Sequence, residues 1–162
     1  VYDPWLTKIS LHRERVHPAS LEEVLSKSRF IFVVAAVTEN NAGLINAKKL
    51  DLMMPNASIL ILNRAAIADY TDLINYCNAG KIKLAVDVFP EEPLESNHPI
   101  RTSKNVLLSA HRAGALNEIL LEMGNYVLED LELLDNGLPP QNCRKAELET
   151  VSKLRSKPIK KS

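Results

Sequence analysis

Two uninterrupted apolar runs constrain the fold of this chain most strongly. They occupy residues 30–37 and 57–62 and are rich in β-branched side chains. Neither run alternates between apolar and polar residues. Short continuous runs of this kind are typical of strands buried on both faces, as in a parallel sheet that helices cover. Weaker strands are predicted at residues 84–88 and 106–109, and residues 1–2 are a candidate for the end of another.

Helix signals lie between the predicted strands. Ser20 begins a capping box, Asn46 is a candidate cap for a short helix, and Thr71 precedes an acidic first turn. Gly80 is suited to the position that follows the end of that third helix. Because strands and helices alternate along the chain, the sequence predicts an α/β fold with a parallel sheet and right-handed crossovers.

The longest predicted helix spans residues 116–136, where apolar side chains recur at helical spacing. The chain is therefore divided into a sheet-forming part at 1–115, this helix at 116–137 and a tail at 138–162. The tail carries seven Lys or Arg residues against two Glu residues between positions 144 and 162. We expect a solvated terminus there, and an electrostatic tether to anionic surfaces is the alternative.

Composition excludes several classes of function. The chain has 162 residues with 20 basic and 20 acidic side chains, so a nucleic acid or a membrane surface is not expected as its main partner. No apolar run approaches the roughly 18 residues that a membrane span needs. Cys77 and Cys143 stand alone in their segments, which predicts neither a disulfide framework nor a metal site. With no secretory signal recognised, a cytoplasmic location is expected.

Polar residues that can carry chemistry follow the predicted strands. In open α/β sheets, ligands bind beyond the carboxyl ends of the strands, because these ends meet at one edge. An aspartate, an arginine, a glutamate and a histidine from distant segments are all expected at this edge. The residues at the ends of the five strands, in chain order, are Asp3, Thr38, Asn63 with Arg64, Asp87 within the fourth strand with Glu91 and Glu92 just past it, and His111.

These residues lie in segments that resemble the NAD-binding domain of the D-isomer-specific 2-hydroxyacid dehydrogenases, relatives of phosphoglycerate dehydrogenase and hydroxypyruvate reductase. The resemblance runs from about residue 1 to residue 140 and implies a Rossmann-like fold, NAD as cofactor, a small 2-keto or 2-hydroxy acid as substrate, and a homodimer for the full-length protein. The matching segments, in the family's order and spacing, are 38–46, 63–69, 80–93, 98–99, 105–106 and 111–114.

The resemblance assigns three catalytic roles. Arg64 resembles the arginine that holds the carboxylate and carbonyl oxygen of the substrate, a task suited to a guanidinium. His111 resembles the general acid that protonates the carbonyl oxygen while hydride reaches the carbon. Glu92 resembles the carboxylate paired with that histidine, and it is preferred over Glu91 because the family's glutamate directly precedes a proline. A nearby carboxylate favours the imidazolium form.

The resemblance also implies a set of cofactor-binding residues. Asp87 resembles the residue near the nicotinamide carboxamide. Asp3 resembles the acidic residue that binds the adenosine ribose, which favours NAD over NADP, and an ordinary turn aspartate is the alternative. The full implied set is Asp3, Thr38, Asn63, Arg64, Asp87, His111, Ala113 and Gly114.

Three departures from the family pattern shape the expected function. Ala65 and Ala66 replace two glycines, which is expected to alter substrate preference. The Gly-x-Gly-x-x-Gly loop and the family's substrate domain are both absent. We therefore expect an incomplete Rossmann-like sheet that lacks its first strand, in a partial chain with little or no turnover of its own.

An α/β chain with these residues has two alternative functions to that of a dehydrogenase. A non-enzymatic dinucleotide-sensing module of the corepressor type is the main alternative, because such proteins can keep the arginine, glutamate and histidine. A phospho-accepting receiver domain is disfavoured, because no acidic pair follows the first strand.

Overall fold

Four parallel strands in chain order form the sheet of this protein. The structure is a computed structural model, and it describes residues 1–143. The strands are β1 (Phe30–Val33), β2 (Ser58–Ile61), β3 (Lys83–Val86) and β4 (Val106–Leu108). They lie side by side in the order β1-β2-β3-β4, with every pair parallel. The predicted α/β fold with a parallel sheet is confirmed.

Helices connect the strands and extend the chain beyond them. The α-helices are α1 (Lys8–Arg13), α2 (Leu21–Lys27), α3 (Ala47–Leu50), α4 (Tyr70–Asn78) and α5 (Asn117–Asp135). A 3₁₀ turn follows β2 at Ala65–Ile67, and a second 3₁₀ turn precedes β4 at Pro99–Thr102. In the described part of the chain, no helix is long and apolar enough to cross a membrane. The predicted basic run at 144–162 lies outside the described residues.

Local hydrogen bonds explain where the helices begin. The capping box predicted at Ser20 is confirmed, since the Ser20 hydroxyl and the Glu23 carboxylate each accept the other's backbone N–H at 3.1 Å. Asn46 caps α3 as predicted. The start predicted after Thr71 was wrong, because the Asp69 carboxylate accepts the first free N–H groups and α4 begins at Tyr70.

The strands are shorter than the apolar runs that predicted them. The run at 30–37 forms a strand over its first four residues, and its neighbour β2 also ends at Ile61. Residues 1–2 form no strand, although the Val1 carbonyl accepts the N–H of Ala19 at 2.9 Å. Beyond the strand, residues 34–36 are exposed and Val37 is buried, so only the last residue of the apolar run packs into the core.

The two faces of the sheet differ in burial. On one face, Ile59 and Ile61 are fully buried beneath side chains such as Leu25 from α2 and Leu73 from α4. The prediction that the strands are buried on both faces was wrong for the opposite face, where Phe32 is 63% exposed and Leu107 is 70% exposed. This face carries apolar side chains, but within residues 1–143 no helix covers it.

Helix α5 also carries apolar side chains that are exposed. Its apolar side chains recur at the predicted helical spacing, yet they are exposed, and the buried residue of α5 is the carboxylate Asp130. Asp130 accepts backbone N–H groups of Gln141 and Cys143, so the chain after α5 folds back onto its last turns. Burial opposes the charged form, but these hydrogen bonds lower the pKa of Asp130 to about 2.

Because the sheet has one covered face, truncation of an apolar side chain should lower the free energy of unfolding more on the covered face than on the open face. Ile59→Ala should lower the free energy of unfolding by about 2–4 kcal/mol, since it empties a fully buried site. Phe32→Ala on the open face should cost less than about 1 kcal/mol in the same chain. Urea unfolding followed by circular dichroism measures both, and equal losses would contradict the one-sided core.

Candidate active site

A buried carboxylate organises the carboxyl edge of the sheet. Asp87 directly follows β3 and is 2% exposed. Its two oxygens accept the backbone N–H groups of Arg112 and Ala113, each at 2.8 Å. Burial acts to raise the pKa of Asp87, but hydrogen bonds from the Ser109 side chain and from those two N–H groups hold the pKa below its ordinary value. A charged Asp87 therefore ties the loop after β4 to the end of β3.

The same loop presents His111 to a second carboxylate. His111 has φ of 54°, a left-handed conformation that costs free energy for a residue with a side chain. The two N–H groups that follow it are those bound by Asp87, which offsets this cost. Its Nδ1 lies 2.7 Å from Oε2 of Glu92, and both side chains are partly exposed. The structure thus brings Glu92, and not its neighbour Glu91, to the histidine.

Glu92 is held by two contacts. Its Oε1 accepts the N–H of Phe89 at 2.9 Å, while Oε2 faces His111. Burial acts to raise the pKa of Glu92, but the hydrogen bonds from His111 and Phe89 together bring the pKa below its ordinary value. A charged Glu92 at Nδ1 leaves Nε2 as the ring nitrogen that can exchange a proton with a ligand. This is the arrangement that general acid–base chemistry requires.

Arg64 lies in the loop after β2 and is exposed. Its guanidinium donates to the backbone carbonyl of Asn63 at 2.8 Å, and the Asn63 amide donates to the carbonyl of Val34 at 3.0 Å. The asparagine therefore connects the ends of β1 and β2 and supports the arginine. Among the described residues, no hydrogen bond or ion pair joins Arg64 to the Glu92–His111 pair, so a ligand would have to bridge them.

The two alanines after Arg64 fit the backbone without strain. Residues 65–67 form a right-handed 3₁₀ turn, and the carbonyl of Ala66 accepts the N–H of Gly43 at 2.8 Å. Neither Ala65 nor Ala66 is among the residues with positive φ. The expected need for glycine freedom therefore does not arise here, and any effect on substrate preference would come from the added methyl groups.

The remaining predicted cofactor residues have different surroundings. Thr38 is 4% exposed, and its N–H donates to the Asn41 side chain at 2.7 Å. Asp3 accepts the N–H groups of Trp5 and Leu6, which is an ordinary turn geometry. Ribose binding by Asp3 stays a prediction. At Gly114, as at the other four glycines, a Cβ would have no heavy atom within 4 Å, so this position of the loop is open.

Sequence reasoning missed Asn41. Its side chain accepts the N–H of Thr38 and donates to the carbonyl of Ala36 at 2.9 Å, which fixes the turn after β1. An asparagine four residues after the predicted strand end at residue 37 is a turn signal that would have found it.

A depression of about 410 Å³ lies beside the Glu92–His111 pair, so the pair borders open space. In the described part of the chain, no group of His, Cys, Asp or Glu side chains could hold a metal ion. The depression is lined mainly by apolar side chains together with the pair and one arginine: Phe89, Glu92, Pro93, Leu94, Arg101, Leu108, Ser109, Ala110 and His111.

Comparison with known proteins identifies the domain. The family described as D-isomer specific 2-hydroxyacid dehydrogenase, NAD binding domain, matches residues 1–113. A glyoxylate reductase from Aeropyrum pernix is 35% identical over 82% of this chain and 40% of its own length. A D-3-phosphoglycerate dehydrogenase from Archaeoglobus fulgidus is 28% identical over 88% of this chain and 27% of its own. This chain therefore spans less than half of the length of these curated relatives.

Solved structures agree. A phosphoglycerate oxidoreductase from Rhizobium etli superposes with a TM-score of 0.83 at 48% identity, covering 91% of this chain and 44% of that one. A D-isomer specific 2-hydroxyacid dehydrogenase from Xanthobacter autotrophicus Py2, in complex with NADPH and MES, superposes with a TM-score of 0.69 at 26% identity over 82% of this chain and 56% of that one. The predicted Rossmann-like sheet is confirmed.

Because Asp87 is charged and holds two N–H groups, its contribution to stability is expected to depend on pH. A lowered folded-state pKa stabilises the fold above the ordinary value of 3.8, and this is lost as pH falls through the folded pKa. Asp87→Asn, which offers one acceptor oxygen instead of two, should cost about 1–3 kcal/mol near neutral pH.

Urea unfolding at about pH 6 and about pH 3 tests this, because the Asn variant should lose less stability on acidification than the unaltered chain. Glu91→Gln, which removes an exposed carboxylate from the neighbouring turn, is the control. The same acid dependence in the Asn variant and the unaltered chain would contradict the role of Asp87.

Proposed function

The chain belongs to the D-isomer specific 2-hydroxyacid dehydrogenase family, and from this premise we propose that it carries the proton-transfer and substrate-binding residues of a hydride transfer between NAD(H) and a small 2-keto or 2-hydroxy acid. The observation that carries the proposal is the 2.7 Å contact between Glu92 and His111 at the carboxyl edge of the sheet. Arg64 at the same edge supports it, because a guanidinium suits an α-keto carboxylate.

In the proposed reduction, His111 acts as general acid. The proton on Nε2 passes to the carbonyl oxygen of the keto acid while the carbonyl carbon accepts hydride, so the C=O group becomes a CH–OH group. Glu92 at Nδ1 fixes the ring orientation and stabilises the imidazolium before transfer. In the reverse direction, neutral His111 takes the hydroxyl proton. A bound nicotinamide dinucleotide supplies or accepts the hydride.

Arg64 is proposed to orient the substrate. Two N–H donors of its guanidinium can bind the substrate carboxylate or the carbonyl oxygen, which places the carbonyl carbon for attack. The positive charge of the guanidinium also stabilises the negative charge that develops on the carbonyl oxygen during hydride transfer. The Asn63 carbonyl, which accepts one N–H of Arg64, limits the positions that the guanidinium samples.

The residues of this chain fit the nicotinamide end of the cofactor. The loop at 111–114 is held by Asp87 and leaves open space at Gly114, where a flat ring can approach the backbone. The Thr38 turn and Asn63 lie after the neighbouring strands β1 and β2. The sequence holds no Gly-x-Gly-x-x-Gly segment, so a cradle for the pyrophosphate is not supplied by residues 1–162.

Loss of the proton donor should reduce the chemical step. In the protein encoded by its native gene, His111→Gln is expected to lower kcat for 2-keto acid reduction by about 10²- to 10⁴-fold with a smaller change in KM. Glu92→Gln should give a lesser loss in the same direction. Steady-state oxidation of NADH measures both, with the exposed His12→Gln on α1 as control. Full activity of His111→Gln would contradict the role of His111 as proton donor, whereas no NADH oxidation by the unaltered protein would favour a non-enzymatic dinucleotide-sensing role.

By itself, the 162-residue chain is expected to show little turnover. It lacks the pyrophosphate-binding loop in its sequence, and the Glu92–His111 pair is exposed to water, which weakens electrostatic catalysis. The measurement is NADH oxidation by purified chain 1–162 with glyoxylate or hydroxypyruvate. A turnover number of about 1 s⁻¹ or more, an ordinary enzyme rate, would contradict the expectation.

A further inference from the structure

The turn that carries Glu92 joins β3 to the second 3₁₀ turn and is made of residues 88–95. The hydrogen bond from the Phe89 N–H to Glu92 Oε1, at 2.9 Å, lies within this turn. Glu92, one of the two partners in the Glu92–His111 contact, therefore lies in a segment outside regular secondary structure. Small movements of such a segment would change the Glu92–His111 distance directly. Two side chains from other elements bind its two ends.

Tyr70 binds the first end of the turn. It is the first residue of α4, is 7% exposed, and its hydroxyl donates to the backbone carbonyl of Val88. Val88 lies between Asp87 and the Phe89 N–H that Glu92 accepts. Burial raises the pKa of Tyr70, and the charge of Glu92 raises it further, which reflects how near the two side chains are.

Arg101 binds the other end. Its Nε donates to the carbonyl of Glu95 and its NH2 nitrogen donates to the carbonyl of Leu94, both at 2.7 Å. One rigid guanidinium thus spans two consecutive peptide groups, a geometry that a lysine ammonium does not reproduce. Arg101 comes from the 3₁₀ turn Pro99–Thr102 and lines the same depression as Glu92 and His111.

We propose that Tyr70 and Arg101 are positioning residues that hold the 88–95 turn from both ends and so keep Glu92 opposite His111. The inference rests on the proposed acid–base function of that pair. Neither side chain is proposed to touch the substrate or the cofactor. Their effect is on geometry, because proton transfer in an active site is sensitive to displacements well below 1 Å in the supporting groups.

The first test measures the pKa of Glu92 by carbon-detected NMR titration of the 162-residue chain. In the unaltered chain this pKa lies below its ordinary value. Tyr70→Phe, which removes one hydroxyl and no charge, should raise the pKa towards the ordinary value, and so should Arg101→Ala. Arg101→Lys keeps the charge but loses the guanidinium that spans two carbonyl groups, so it should raise the pKa of Glu92 as Arg101→Ala does.

Tyr76→Phe is the matched control. Tyr76 lies on the same helix, and its hydroxyl donates to the Ala47 carbonyl at 3.2 Å and to Asp51 at 2.6 Å, in contacts with α3 and the residue that follows it. The pKa of Glu92 should not change in this variant. An unchanged pKa in Tyr70→Phe and Arg101→Lys would overturn the proposal, as would an equal shift in the control. If Arg101→Ala fails to fold, Tyr70→Phe and Arg101→Lys carry the test.

The second test measures activity of the native gene product. Tyr70→Phe and Arg101→Lys should each lower kcat about threefold to tenfold, the factor that corresponds to one lost hydrogen bond, with KM within about twofold. A change confined to KM would overturn the positioning role. If the unaltered protein oxidises no NADH, the proposed function fails, while the Glu92 titration still decides whether Tyr70 and Arg101 position this carboxylate.

Discussion

The charged carboxylate of Asp87 is the interaction on which the rest of the site depends. Burying a carboxylate is costly unless strong donors satisfy it, and two backbone N–H groups from the loop after β4 do so at 2.8 Å. Those N–H groups belong to the two residues after His111, so the same bonds hold His111 in a left-handed conformation. These bonds extend the connection between β3 and β4 beyond the last backbone contact of the two strands, in which the Ser109 N–H donates to the Val86 carbonyl at 2.9 Å.

The sheet supplies the second constraint. Parallel strands in chain order place every carboxyl end at one edge, and short polar loops there carry Asn63, Arg64, Asp87 and His111. Contacts between loops then add precision that the strands alone lack. Asn63 connects the segments after β1 and β2, and Asp87 connects β3 with β4. Glu92 reaches His111 across the same edge from the turn after β3. Backbone topology thus brings the site residues to one edge of the sheet, and a few side-chain hydrogen bonds fix their positions.

Much of this arrangement could be predicted from the sequence, because it depends on patterns that are local in the chain. Continuous apolar runs predicted the strands, and the polar residues directly after them predicted the edge. Contacts between distant segments were less accessible. The contact of Tyr70 with the Val88 carbonyl depends on a partner 18 residues away that only the folded chain brings near. The Asp69 carboxylate at the start of α4 and the Asn41 turn are local signals that sequence reasoning missed.

Burial was the least predictable property. The same apolar pattern occurs in Ile59, which is fully buried, and in Phe32, which is 63% exposed, because burial depends on what packs above each face. Similarly, Ala65 and Ala66 depart from the family pattern in sequence, yet their backbone needs no glycine. The residue type alone therefore does not determine the burial or the backbone conformation of a position, because both depend on the surrounding fold.

The stereochemistry of reduction tests the central claim most directly. The protein encoded by the native gene would be incubated with NADH and a panel of prochiral 2-keto acids that includes hydroxypyruvate, and the products resolved by chiral chromatography. The account predicts NADH oxidation with at least one of these acids, matched by an equal amount of the D-2-hydroxy acid. Formation of the L-isomer, or no NADH oxidation with any acid of the panel, would contradict it.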